Sequence, residues 1–300
     1  MSRSYQVTHT TRYSYEREVT ESYGRAHLAP RDVTGQTCLS HRLSVAPAPQ
    51  RVHEEQDFYG NRSAYVEVLT PHTELAVTAS SRVRVDRAVV ELDQVSSPWE
   101  QAGPDALATL DDPEDALRAK DFLLPSIHVP VGGQVPAFAG EIFTPGRGAG
   151  EAVRELIRRV YTDFAYRPGV TSVSTTLDEV LARREGVCQD FAHLAVACLR
   201  RAGLPARYVS GYLETLPPPG QAKLLGADAS HAWVSVLLPC LGWVDLDPTN
   251  DRVVDDSYIV TAWGRDYADV PPLKGVIFTE GKVSRLTVAV DVLPLPARTT

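Results

Sequence analysis

Residues 185–212 read EGVCQDFAHLAVACLRRAGLPARYVSGY, and the rest of the chain is arranged around them. From Gln189 to Arg201 nothing breaks a helix. Phe191, Leu194, Ala195, Val196, Ala197, Cys198 and Leu199 are apolar nearly all round it, the pattern of a helix sunk in a core. Gly203 and Pro205 stop it where helices normally end. Gly186, a small residue read as a hinge, precedes Cys188, which falls at a turn-to-helix junction. A thiol in the first helical turn faces unpaired backbone N–H groups and the positive end of the helix dipole, and both favour thiolate over thiol. Buried cysteines are mostly inert core residues, so a reactive Cys188 requires partners elsewhere in the chain.

Downstream, residues 206–213 read as a strand, followed by the polar loop PPPGQAKLLGADAS and a strand over 231–238 that opens with His231. A turn over 239–242 leads to a second strand over 243–247, which Pro248 ends. If the two strands pair across that turn, positions summing to about 478–481 lie opposite, and His231 falls beside Asp247 or a residue or two away. Cysteine catalysis needs a thiolate, an imidazole to hold and return its proton, and a polar group that orients the imidazole. Cys188, His231 and Asp247 supply them from a helix start, a strand start and the end of a hairpin partner. Asp245 shares the face of Asp247 by strand alternation and is the rival orienting group. Asp247 is preferred because Pro248 fixes the backbone after it. Gln189, next to the cysteine, Tyr166 in FAYRP and Trp233 beside the histidine are candidate substrate-binding residues of the cleft.

Upstream, residues 152–164 place Val153, Leu156, Ile157, Val160 and Tyr161 on one stripe of an amphipathic helix. Residues 176–183 form a shorter one, capped by Thr175 or Thr176 with Glu179 in its first turn. Residues 104–124 accommodate one or two short helices, and the Pro- and Gly-rich stretch 125–150 reads as a connector or irregular loop. From Tyr5 to about Val85 the pattern is β: Tyr5, Val7, His9, Thr11 and Tyr13 alternate with polar residues, and turn signals such as Tyr59-Gly60-Asn61 separate later runs. His9, His27, His53 and His72 read as strand and turn residues. The β-like runs 258–262, 275–279 and 285–292 are expected to complete an antiparallel sheet. The division is thus a β domain over 1–95, a linker with short helices over 96–150, and a core with C-terminal strands over 151–300.

The whole chain has 300 residues, 43% hydrophobic and 23% charged, enough for a large core in a soluble globular protein. A net charge of -8 argues against a nucleic-acid or anionic-membrane surface. The first residues lack the apolar stretch of a secretory signal, and no run approaches a membrane span, so the expected location is the cytoplasm. Four cysteines without a CxxC pair imply reduced thiols. A zinc site built from Cys188, His193, Cys198 and His231 fails on geometry. At about 100° per residue, His193 and Cys198 diverge from Cys188 round an intact helix, and Cys198 lies almost three turns further along. No metal and no cofactor are expected.

GVCQDFAHLAVACLRRAGLPARYVSGY and ASHAWVSVLLPCLGWVDLDPTN together resemble the core of the bacterial transglutaminase-like superfamily. THTTRYSY, LAPR, DFYGN and Pro71-His72 resemble the β domain that precedes this core in one bacterial subfamily, and GRDYADVPPLKGV resembles its tail. The resemblance implies an α+β, papain-like core, helices on an antiparallel sheet, behind an all-β sandwich-like domain. It also implies a Cys-His-Asp triad that attacks amide or acyl carbonyls through a thioester, with the backbone N–H of Cys188 and a second donor holding the oxyanion. Superfamily members include cross-linkers, proteases and deglycosylating amidases. With no acidic calcium loop of the kind eukaryotic cross-linkers carry, the expected reaction is hydrolysis of a peptide or amide. Protein-glutamine cross-linking and a non-catalytic peptide-binding module are the alternatives, and a peptide or protein substrate is the expected partner.

Overall fold

The computed structural model describes residues 2–215, 230–281 and 284–296. Its first sheet opens with a single long strand, β1 (Arg3–Ala26), on which Tyr5, Val7, His9 and Thr11 turn inward as their alternation requires. β2 (Gln36–Ala46), β3 (Arg51–Gln56), β4 (Arg62–Val68) and β5 (His72–Val85) follow. β5 pairs antiparallel with the first half of β1, from Arg3↔Val85 to Ser14↔Glu74, and β4 takes over from Ser22↔Val68 to Ala26↔Ala64. β2 and β3 extend this edge outward on β5 and β4. Of the histidines read as strand and turn residues, His9, His27 and His72 are buried and occupied. His9 lies between the Tyr212 and Thr11 hydroxyls at 3.1 Å each, His72 bonds the Ser22 hydroxyl at 3.0 Å, and His27 bonds the Pro271 carbonyl at 3.2 Å. His53 is exposed on β3.

Helices α1 (Trp99–Ala108), α2 (Pro113–Asp121), α3 (Val135–Ile142) and α4 (Ala149–Asp163) come next. The sequence reading took the α3 region for a connector because Pro and Gly flank it. In the fold Val135, Phe138, Ala139 and Ile142 are all buried, so α3 is part of the helical layer. The two-residue strands β6 (Ala165–Tyr166) and β7 (Glu185–Gly186) bracket α5 (Leu177–Arg183). The cap of α5 is Thr176: its hydroxyl accepts from the Glu179 N–H at 3.3 Å while the Glu179 carboxylate accepts from the Thr176 N–H at 2.9 Å.

α6 (Cys188–Arg201) then lies across a second antiparallel sheet made of β8 (Ala206–Leu213), β9 (Ser230–Leu238), β10 (Gly242–Asp247), β11 (Arg252–Val253) and β12 (Tyr258–Gly264). The order is β11-β10-β9-β8-β12. Every residue from 190 to 200 is buried, as an all-round apolar helix demands. Full burial of Phe191, Leu194 and Leu199 contributes roughly 1.5–3 kcal/mol each. The loop read after β8, residues 217–230, lies outside the described residues up to 229, and Ser230 opens β9.

The final strands pair antiparallel, as expected, but two of them do so in the first sheet. β13 (Leu273–Thr279) and β14 (Ser284–Leu295) do not extend the sheet under α6. They return to the free edge of β1, from Ser4↔Leu295 to Tyr15↔Ser284 and from Val19↔Thr279 to Ala26↔Leu273. A 24-residue strand paired on one edge only would leave a long row of unbonded N–H and C=O groups, and the end of the chain satisfies them. Tyr5, Val7, Val83, Val85, Val290 and Val292 form an apolar cluster with Tyr212 and Ile259 of the second sheet.

Two side-chain amides complete the junction by bonding the outer edge of β12. Gln36 accepts from the Val260 N–H (2.8 Å) and donates to its C=O (2.9 Å). Asn61 accepts from the Trp263 N–H (2.9 Å) and donates to its C=O (2.8 Å). Among the described residues no helix is long and apolar enough to cross a membrane.

Candidate active site

Cys188 owes its place to the turn before it. Arg184 adopts a left-handed conformation (φ 54°) that stops α5, and β7 pairs in parallel with β6, Tyr166 opposite Gly186. Val187, extended, caps α6, and Cys188 is the first helical residue. The carboxylate of Asp190, buried one turn into the helix, accepts from the Val187 N–H at 2.8 Å and from the Thr171 hydroxyl at 2.7 Å. Burial outweighs these two bonds and raises its pKa. A Cβ on Gly186 would lie 2.9 Å from Asp190 Oδ2 and 3.0 Å from its Cβ. Gly186 is therefore required for clearance of the carboxylate that pins the cysteine loop, and the hinge reading gives way to this one.

His231 enters from β9, opposite Gly211 of β8. The β9–β10 register runs from Gly242↔Leu238 to Leu246↔Val234, which carries Asp247 to the histidine. His231 Nε2 lies 2.7 Å from Asp247 Oδ2. With that nitrogen donating to the carboxylate, Nδ1 is left for the Cys188 thiol, a hydrogen-bonding neighbour of the ring. Asp247 is fully buried, and its Oδ2 also accepts from the Tyr258 hydroxyl (2.7 Å) and the Asn250 side-chain amide (2.6 Å), while Oδ1 accepts from the Thr249 N–H (2.8 Å).

Burial alone would raise the pKa of this carboxylate; the His231 bond and charge, helped by Asn250 and Tyr258, hold it below the usual 3.8. Burial likewise works against charge on His231. The bond to Asp247 and the interaction with Cys188 win, and the imidazole is pushed up from 6.5 to about 10. At neutral pH the pair is an imidazolium held by a carboxylate, adjacent to the Cys188 sulfur at a helix start.

The other sequence candidates divide. Tyr166 is half exposed and close enough to Cys188 that, after burial, the cysteine is the next cause raising its pKa. Gln189 is half-buried beside the cysteine. Trp233 is fully buried, its ring 6.1 Å from the His231 ring and 5.4 Å from the Tyr258 ring, so it supports the histidine from below and offers no surface to a substrate. Strand alternation explains the misplacement: the neighbour of a strand-end histidine points to the same sheet face only two residues on, deeper in the fold. Gly211 makes room for that ring, since a Cβ there would lie 2.5 Å from it. Asp245 turns to Arg87, 3.8 Å away, leaving the orienting role to Asp247. His193, one of the residues weighed for zinc, accepts from the Tyr267 N–H at 3.1 Å and stacks on His128, and burial pushes its pKa down to about 3. Sequence reasoning missed Tyr258 and Asn250. Asn250 had a local signal, an amide three residues after Asp247 in a Pro-containing turn; Tyr258 arrives from a separate strand.

Two family models match: the bacterial transglutaminase-like N-terminal region over residues 5–84 and the transglutaminase-like superfamily over 136–248. An uncharacterized protein of Mycobacterium tuberculosis is 47% identical over 297 residues, covering 97% of this chain and 92% of that one. The chain belongs to the transglutaminase-like superfamily. A protein-glutamine gamma-glutamyltransferase of Pseudomonas aeruginosa is 37% identical over 101 residues, which is 32% of this chain and 15% of that protein. A crystal structure described as a candidate cysteine protease from Cytophaga hutchinsonii superposes with a TM-score of 0.79 at 21% identity, over 100% of this chain and 93% of the other. That likeness is one of fold.

Proposed function

We propose that the protein is a thiol-dependent acyl-transfer enzyme that cleaves a peptide or other amide through a thioester on Cys188. The observation that carries this reading is the His231–Asp247 pair at 2.7 Å with the Cys188 thiol on the other side of the ring. In the first half-reaction the Cys188 thiolate adds to the amide carbonyl, and the oxyanion takes hydrogen bonds from the Cys188 backbone N–H and a second donor. The C–N bond breaks as His231 gives its proton to the leaving amine. Water then adds to the thioester with His231 as base, and collapse of the adduct releases the acid and restores the thiolate beside the protonated imidazole. Asp247 keeps the imidazole oriented throughout and stabilises it whenever it carries the proton. Tyr166 and Gln189 are the residues we assign to the acyl portion of the substrate, supported by the influence of Cys188 on Tyr166 and by the half-buried position of Gln189 next to it. The free cysteines, Cys38, Cys188, Cys198 and Cys240, suit a reducing compartment such as the cytoplasm.

A second reading, transfer of the acyl group to an amine, is favoured by the 101-residue likeness to the gamma-glutamyltransferase. Both are tested by screening the wild type and Cys188→Ala against mixed peptide pools, with and without an added primary amine. Hydrolysis with no amine product supports the first reading, amine incorporation the second. An unaltered rate in the Cys188→Ala variant would reject both.

A further inference from the structure

On the sheet face turned away from α6, Arg207, Trp243, Asp245 and Trp263 alternate with residues such as Tyr208, Val244 and Ala262 that pack in the helical core. This outer face forms one wall of a cleft of about 830 Å³, within the size range of small-molecule sites; the β1–β5 region and α2 supply the rest. None of Cys188, His231 and Asp247 lines it.

Its chemistry is cationic and aromatic. The guanidiniums of Arg31 and Arg207 each lie 3.6 Å from the ring centroid of Trp263, and Arg207 also lies 4.1 Å from that of Trp243. Arg87 reaches Asp245 at 3.8 Å and donates to the Tyr258 carbonyl at 3.3 Å. Stacking on a ring uses the plane of a guanidinium and leaves the N–H groups at its edge available. Arg31 spends one on the Asn61 side-chain oxygen, and Arg87, which stacks on no ring among the described residues, also donates to Gln36 Oε1 at 3.4 Å. The Nε–H groups of Arg31, Arg87 and Arg207 are all buried without a hydrogen-bond partner. Arg207, 8% exposed, makes no side-chain hydrogen bond among the described residues.

Among the lining residues the three guanidiniums face one half-buried carboxylate, Asp245, with Asp57 behind Arg31, while Asp32, Asp86, Asp115 and Arg118 lie on the exposed rim. Burial pushes Arg207 down to about 9 and Arg31 to about 10 despite the nearby carboxylates Asp245 and Asp57. A cation kept in low dielectric with unused donors is costly, and an incoming oxyanion removes that cost.

We propose that this cleft binds an organic oxyanion, a carboxylate or phosphate monoester on an apolar body, with its acidic group on the Arg207 and Arg87 donors and its body against Trp243, Phe122 and Leu110. Each of the two acidic groups, planar carboxylate or tetrahedral phosphate, can present two oxygens to an arginine fork. The cleft lies on the sheet face turned away from α6, and its lining does not include the thiol, the imidazole or the orienting carboxylate.

The test uses the full chain, with phenyl phosphate, phenylacetate and the neutral phenylacetamide as probes, followed by calorimetry and by the fluorescence of the lining tryptophans. At least one anion is expected to bind saturably, about tenfold or more tighter than phenylacetamide; whichever anion is preferred identifies the acidic group. Arg207→Gln and Ala88→Trp, the latter filling the cleft from an exposed mouth position, should each weaken binding by about tenfold or more. If Arg207→Gln does not fold, Arg87→Gln replaces it in the same comparison. Absence of saturable anion binding at millimolar concentration, equal binding of the amide, or unchanged affinity in Ala88→Trp would overturn the proposal.

Discussion

Replacing Asp247 by asparagine keeps the shape of the orienting residue and removes its charge, and the consequence follows from the state of His231. The imidazole titrates at about 10 in the folded protein against 6.5 for the unperturbed group. At about 1.36 kcal/mol per pH unit, that separation represents stabilisation of the imidazolium on the order of 5 kcal/mol, most of it from the Asp247 bond and charge and the rest from Cys188. Because the folded value is the higher one, this stabilisation is fully present below pH 6.5 and is lost as pH rises towards 10. Asp247 is held below its usual value, so its share is present above about 3.8 and is lost as pH falls through the folded value. In Asp247→Asn only Cys188 is left to oppose the burial of the ring, and His231 should titrate well below 10. The assay is NMR titration of labelled histidines, with the His231 resonance assigned by its loss in His231→Gln, alongside denaturant unfolding at pH 6 and pH 10. The wild type should show an inflection near 10 that disappears from this region in Asp247→Asn, and a stability advantage at pH 6 that shrinks by pH 10. A wild-type His231 inflection near 6.5, or the same inflection in both proteins, would refute the reasoning.

Tyr258→Phe removes a buried hydroxyl from Asp247 Oδ2 and should cost about 1.5–3 kcal/mol of stability at neutral pH, with a smaller cost in acid where the carboxylate is protonated; urea unfolding at two pH values measures it. Gly186→Ala drives a methyl group into Asp190 and should destabilise by about 1–3 kcal/mol, read as a lowered denaturation midpoint. Asn61→Leu leaves the N–H and C=O of Trp263 without their side-chain partner on the edge of β12. It should cost roughly 2–6 kcal/mol and speed proteolysis at the junction of the two sheets; unchanged stability and cleavage would contradict the edge-capping role.

What could be read in the chain follows the range over which each feature is encoded. The α6 helix is legible because its apolar surround, Gly203 and Pro205 all lie within one stretch of residues. His231 and Asp247 are legible together because a short turn links their strands and fixes which positions meet. The approach of Cys188 to them is a tertiary contact that the family resemblance supplied rather than the spacing. Features set at long range escaped. The return of β14 to β1 joins residues nearly a chain length apart, and nothing in the local alternation of residues 284–295 distinguishes one sheet from the other. Tyr258 reaches Asp247 from another strand, and its sequence context is that of any buried strand tyrosine. Trp233 was misread because alternation gives the face a residue shares but not how far beneath the surface it lies. Gly186 looked like a hinge because a glycine shows no side chain in the sequence, and only the packed position of Asp190 reveals what a side chain there would strike.

The central claim is that Cys188 carries the acyl group, and trapping that group tests it most directly. Wild type mixed with p-nitrophenyl acetate and quenched in acid should gain one acetyl mass, which peptide mass spectrometry places on Cys188 and hydroxylamine removes, while Cys188→Ala gains none. An acetyl group found instead on Cys38, Cys240 or a lysine, or acquired equally by the Cys188→Ala variant, would contradict the account.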